Sequence, residues 1–195
     1  MVASKKIEEP RRVHIGIRDG TEEDLERVVD LWEELVKHHS AYSDHFTLAR
    51  DGRKKWAKYL NEKFSEPSTR LIVAEENDDL VGFMLCLLNP GKPIFKEKAV
   101  GVISDAYVVK HRRRKGIMKE MLSVALRWFS KNRIRAVEVS VSIANQEARD
   151  AWNQLGFRPF MERKRLQLDD GSAIALMDGD HAGSRRKVVR RRRRG

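Results

Sequence analysis

Cysteine is nearly absent: Cys86 is the single one in 195 residues. An intrachain disulfide is therefore impossible, and no cluster held by several thiolates can form. Cys86 lies in the apolar run 80–88, where a small buried hydrophobe is the expected role rather than a nucleophile. Long hydrophobic runs are missing too; none approaches the roughly 18 residues that cross a bilayer. Residues 1–9 are charged where a secretory leader would be apolar. The expectation is a soluble, cytoplasmic protein with no membrane contact, as a monomer or a homodimer. No internal repeat is visible.

Positive charge is plentiful but unevenly placed. Of the net +11, Arg185, Arg186, Lys187 and Arg190 to Arg194 contribute eight, so subtracting them leaves +3 on residues 1–184. With Gly179, Gly183 and Ser184 ahead of it, the segment 179–195 reads as a disordered basic tail. Such a tail, Arg185 to Arg194, suits contact with nucleic acid or a ribosome through phosphates, or serves solubility alone. No aromatic residue stands among its arginines to stack on bases.

The stretch that organises the rest is Ser104 to Met118. Downstream of it, Ile117, Met121, Leu122, Ala125, Trp128 and Phe129 recur at spacings of three and four, which predicts a helix. A helix start leaves four backbone N–H groups without partners, normally answered by a Ser, Thr, Asp or Asn cap and by acidic neighbours. Here the junction offers Arg112, Arg113, Arg114 and Lys115 instead. A bound anion such as phosphate would complete that start, held by amides, dipole and basic side chains, with Gly116 letting the backbone come close. A solvated basic run ending in a turn glycine is the plainer alternative.

The run Arg113-Arg114-Lys115-Gly116-Ile117-Met118 resembles the Arg/Gln-x-x-Gly-x-Gly/Ala signature of the GCN5-related N-acetyltransferases, which cradles the pyrophosphate of acetyl-CoA. Ile103 to Val109 is similar to that family's fourth strand, and Asn145-Gln146-Glu147-Ala148 with Trp152 and Leu155-Gly156-Phe157 resembles a second family segment. Met118 departs from the signature, in place of a small residue, and Trp152 stands where many relatives carry a tyrosine.

Periodicity places the other elements. Val13 to Ile17 is a first strand; Thr21 with Asp24 makes a capping box ahead of a helix striped by Leu25, Val28, Val29, Trp32, Leu35 and Val36. A second helix spans 52–64, with Pro67 just beyond it. Strands follow at 70–75 and 80–88, joined by Asn77-Asp78-Asp79, and then at 99–109. After the central helix come a strand at 136–142, a short helix at 145–155 closed by Gly156, a strand at 160–168 and a marginal one at 172–177. His38, His39 and His45 with Tyr42 lie between the first two helices; no carboxylate pair stands at helical ligand spacing with them, so no metal is expected.

The resemblance implies an α/β (α+β) fold: a mixed, mostly antiparallel central sheet with helices on both faces, in which the strand before the cofactor loop splays from its neighbour. It implies an N-terminal extension over 1–12, an acetyltransferase domain over 13–178 and the tail beyond. It also implies acetyl-CoA as co-substrate, bound by the backbone of Tyr107, Val108 and Val109, by the loop from Arg113 through Arg114, Lys115, Gly116 and Ile117 to Met118, and by Asn145 and Trp152. The acceptor would be a primary amine: a small amine, a polyamine, or a protein lysine or N-terminus. Attack needs an uncharged amine, hence a base. Asp105 is the best placed carboxylate, with Glu138 and Ser104 as neighbours, and Tyr107 is the candidate acid, since an indole N–H at Trp152 cannot serve as one. Glu33, Glu34, Asp44 and Asp51 would suit a cationic acceptor. The competing function is a weakly catalytic or non-catalytic acyl-CoA-binding module that adapts to nucleic acid or ribosomes through its tail.

Overall fold

A computed structural model describes residues 15–166. The elements run β1 (Ile15–Asp19), α1 (Leu25–Ser40), α2 (Gly52–Phe64), β2 (Thr69–Glu76), β3 (Asp79–Pro90), β4 (Ala99–Val108), α3 (Ile117–Lys131), β5 (Val137–Val139) and α4 (Gln146–Gln154). The chain divides into two units, residues 1–157 and 158–195. All nine elements belong to the first. The basic tail and the marginal strand at 172–177 lie outside the described residues.

Local chemistry explains the boundaries. Thr21 N–H donates to Asp24 Oδ2 at 2.7 Å, and the Thr21 hydroxyl to the same oxygen at 3.0 Å, so the expected capping box is formed ahead of α1. Asp24 is itself buried and is gripped by Arg18, whose guanidinium holds the carboxyl below its usual range. Arg53 on α2 reaches Glu26, Asp30 and Glu33 on α1, and Trp32 stacks on Trp56 with ring centroids 4.4 Å apart, so the two helices are tied by charge and by a ring pair. Asn77 and Asp78 adopt φ values of 51° and 68°, the left-handed pair that a two-residue hairpin between β2 and β3 requires.

The sheet has the order β1-β2-β3-β4-β5, antiparallel except for the parallel β4-β5 pair. Alternate side chains of β3 feed opposite faces. Phe83 and Leu85 join α1 and α2 in one core, whereas Met84 and Cys86 join Ile117, Met121 and Phe129 of α3 in the other. Gly101 lets α3 pack close: a Cβ there would lie 2.6 Å from the Phe129 ring.

Two features of β4 create the site. Asp105 pairs with Leu85 and Ile103 with Cys86, so Ser104 is an extra residue in the ladder, a bulge that bends its strand. Beyond it β5 no longer follows, since pairing is confined to Gly101–Ile103 against Val137–Val139. The strand expected over 136–142 is thus three residues long, and the two parallel strands part as expected. The strand expected at 160–168 is not formed over its described part, 160–166, where Phe160, Met161 and Leu166 are exposed.

Candidate active site

A groove of about 1120 Å³ opens where β4 and β5 part, and it runs from the start of α3 to the C-terminal end of α1. Its central wall is β4 from Ile103 to Val108, and α4 closes the far side through Asn145, Ala148 and Trp152. Most of the residues singled out from the sequence line it; Val109 and Lys115 do not.

At one end lies the turn into α3. Gly116 is its N-cap at φ 85°, with Arg114 at φ 63°, and no side chain caps the helix. Its first hydrogen bond runs from Glu120 N–H to Gly116 O at 3.0 Å, which leaves the amides of Ile117, Met118 and Lys119 ahead of the ladder. A Cβ on Gly116 would meet nothing within 4 Å, so the space above the helix start is open. The four basic residues are not equivalent. Arg112 is bound by the buried carboxylate of Glu76, with Nε 2.5 Å from Oε2. Arg113 donates to the Val108 carbonyl at 3.1 Å and to Glu147 Oε2 at 3.3 Å, and its guanidinium lies 5.5 Å from the centre of the Tyr107 ring. Arg114 and Lys115 are exposed and carry no ion pair with a described residue. The anion end is therefore a helix start with two open charges, not four, and its amides and open Cβ direction fit a phosphate.

In the middle, backbone direction corrects one expectation. Val109 N–H donates to Val81 O at 2.9 Å, so it is spent on β3. Amides alternate along a strand, which turns Tyr107 N–H to the same side and Val108 N–H toward the edge that β5 has left. Of the three backbone donors expected, Val108 is the one that faces the groove. Asn145 is buried and its Oδ1 accepts Ala148 N–H at 3.0 Å, so this oxygen caps α4. Trp152 packs edge-on to Phe157 at 5.1 Å, and Met118 rests against the α3 core.

At the other end is Asp105. Burial pushes its carboxyl above the usual range, against hydrogen bonds from Ser104 Oγ, at 2.6 Å, and from the Trp32 side chain. Tyr107 beside it is 7% exposed; its hydroxyl donates to Glu34 Oε2 at 3.1 Å, and burial, followed by that carboxylate, pushes its pKa above the usual range. Glu138 is exposed on β5 and does not line the groove. The acidic set expected to attract a cation is largely engaged elsewhere: Glu33 with Arg53 at 2.9 Å, Asp51 with Lys55 at 3.0 Å, and Glu34 with Tyr107.

The wall that sequence reading missed comes from α1, where Leu35, His38 and His39 face β4 across the groove. The histidines had drawn notice only as metal ligands, and no group of three His, Cys, Asp or Glu side chains among the described residues could hold a metal. Cys86 is fully buried and its thiol is pushed up to about 12 by burial.

What this geometry defines is a class of site: a groove along a parted strand edge, with an uncapped helix start at one end and a buried carboxyl at the other. The particular family follows from sequence and fold comparison, and the chain belongs to the acetyltransferase (GNAT) family, whose model matches residues 29–157. An uncharacterized N-acetyltransferase of Bacillus subtilis is 26% identical over 99 residues, covering 51% of this chain and 65% of that protein. Another, of Methanocaldococcus jannaschii, is 28% identical over 142 residues, covering 72% of this chain and 59% of that protein. The matches thus span less than two thirds of these two relatives' own lengths. In fold, the chain is similar to a predicted acetyltransferase with acetyl-CoA from Clostridium acetobutylicum, at a TM-score of 0.66 and 19% identity, over 79% of this chain and 96% of that one.

Proposed function

We propose that this protein transfers an acetyl group from acetyl-CoA to an amine, by direct attack of the amine within the groove. The observation that carries the proposal is the meeting of three features in one cleft: an uncapped basic helix start, an unpaired strand edge, and a half-buried carboxylate raised above its usual range. The related Clostridium protein carries acetyl-CoA, which supports the same donor here.

The residues that would hold the donor are the amides of Ile117, Met118 and Lys119 with Arg114 and Lys115 at its phosphates, and the Val108 N–H along its arm. Acetyl-CoA supplies the acetyl thioester. Val108 N–H polarises a carbonyl oxygen brought to the strand edge, a donor fixed in advance by the ladder on its other side. Asp105 takes the proton of the incoming ammonium; burial raises its affinity for that proton, which suits a base working near neutral pH. Tyr107 keeps its proton at neutral pH and keeps its hydroxyl on Glu34, so it fixes α1 against β4. A thiolate leaves without much help from an acid, because an ordinary thiol ionises near pH 8.5.

The test is thiol release from acetyl-CoA with a panel of amines, run beside calorimetric binding of acetyl-CoA. Binding with amine-dependent thiol release is the expected result. Binding with no release from any amine or peptide would exclude the transferase.

A further inference from the structure

The groove's acceptor end has an unusual balance of charge and ring surface. One carboxylate, Asp105, lines it between α1 and β4, and its bonds are to Ser104 and Trp32 rather than to a base. Glu147 and Asp150 of α4 also line the groove; Arg113 binds Glu147 at 3.3 Å, and the Gln146 side-chain amide donates to Asp150 at 2.7 Å. Glu33 is held by Arg53 and Glu34 by the Tyr107 hydroxyl. Leu35, His38 and His39 of α1 and the buried Tyr107 of β4 line the same groove.

We propose that the acceptor is a molecule with a single amine on a flat apolar body, and that His38 and His39 form the wall against which that body lies. The proposal rests on the transferase reading above and deepens it. The wall is preformed. The His38 ring meets Tyr42 edge-on at 5.3 Å and 89°, with Nε2 3.4 Å from the Tyr42 hydroxyl, and His39 lies 5.3 Å from the Phe46 ring. Rings already held by neighbours lose little freedom when a second flat group stacks on them.

The same surroundings keep both imidazoles uncharged near neutral pH. Burial lowers them first; Arg113 and Lys110 push His38 further down against the pull of Glu147, and His38 does the same to His39. The wall is then a polarisable apolar surface, not a cation. A polyamine or an aminoglycoside would bring further ammonium groups to a groove whose other carboxylates, Glu147 and Asp150, already have hydrogen-bond partners, and it would set them near the Arg113 guanidinium. An ammonium taken from water without a partner is costly, so the site selects against multiple charge as much as for the ring.

The experiment compares 2-phenylethylamine, spermidine and kanamycin as acceptors, by thiol release from acetyl-CoA, in the wild type and in His38→Glu. The expected kcat/KM for 2-phenylethylamine exceeds that for spermidine by about tenfold or more. In His38→Glu, which adds the missing carboxylate, that ratio should fall by about tenfold. Tyr42→Ala, which removes the support of the His38 ring, is a second variant. Its KM for 2-phenylethylamine should rise about fivefold while its KM for acetyl-CoA holds, the size expected when a ring contact loosens. Spermidine or kanamycin as the better wild-type acceptor overturns the inference and leaves the transferase standing. An unchanged ratio in His38→Glu together with an unchanged KM in Tyr42→Ala also overturns it.

Discussion

Gly116 separates folding from donor binding, because its two demands act on different quantities. Its φ of 85° is a left-handed conformation that costs an L-residue about 1–2 kcal/mol. No protein atom lies within 4 Å of where a Cβ would point, so Gly116→Ala adds no clash. For a chain of this size that loss lowers Tm by roughly 2–8 °C, which leaves the protein folded at 25 °C. Gly116→Asp carries the same backbone cost, but its carboxylate faces the free amides of Ile117, Met118 and Lys119 and recovers about 0.3–1 kcal/mol from the helix dipole. It should therefore melt no lower than the alanine variant. Acetyl-CoA affinity should run the other way. The methyl enters space that the donor's phosphates need, and the carboxylate adds a like charge worth about 1–4 kcal/mol at close range, or roughly five- to thousandfold in Kd. Calorimetry with acetyl-CoA and thermal melts on the two variants test this together. If both fold and both bind acetyl-CoA as the wild type does, the phosphates do not lie at this helix start.

Asp105→Asn tests the base. A carboxyl whose folded value is raised favours the folded state below its unfolded value of about 4, and that advantage is lost as pH rises through the raised value. The variant should accordingly match the wild type in Tm near pH 3 and gain on it towards pH 7, while its turnover falls and the acid limb of the rate profile disappears. A Tm difference that does not change with pH would contradict the burial argument. Gly101→Ala places a Cβ 2.6 Å from the Phe129 ring and should cost about 1–3 kcal/mol in urea melts, partly restored by Phe129→Leu in the same chain. Cys86, its thiol pushed up to about 12, should resist a thiol reagent at pH 8 until the protein unfolds, and Cys86→Ala should keep the transfer rate; rapid labelling of the native protein would refute its burial.

Short-range signals carried most of the fold. The Thr21–Asp24 capping box, the bounds of α2 and the Asn77-Asp78 turn were legible because each is set by residues within four positions of one another. The missing cap on α3 was legible for the same reason. The bulge at Ser104 was not, since one extra residue in a ladder changes neither composition nor period until the partner strand is known. The strand expected at 160–168, which is not formed over 160–166, shows the same gap: pairing is a property of two segments and sequence displays only one.

The site was harder to read than the fold because its charges are decided by residues far away in the chain. Arg112 reads as part of a four-charge cradle, yet Glu76, 36 positions earlier, claims it, and Glu147, 34 positions later, holds Arg113. These pairs do more than neutralise. Arg113 bonds the Val108 carbonyl on one side and α4 on the other, so it ties the open strand edge to the helix across the groove. A basic run whose first two members are held by carboxylates, and whose last two are exposed, uses one pair to shape the turn and leaves the other open to its surroundings. That division explains how four successive positive charges are tolerated at the positive end of a helix dipole.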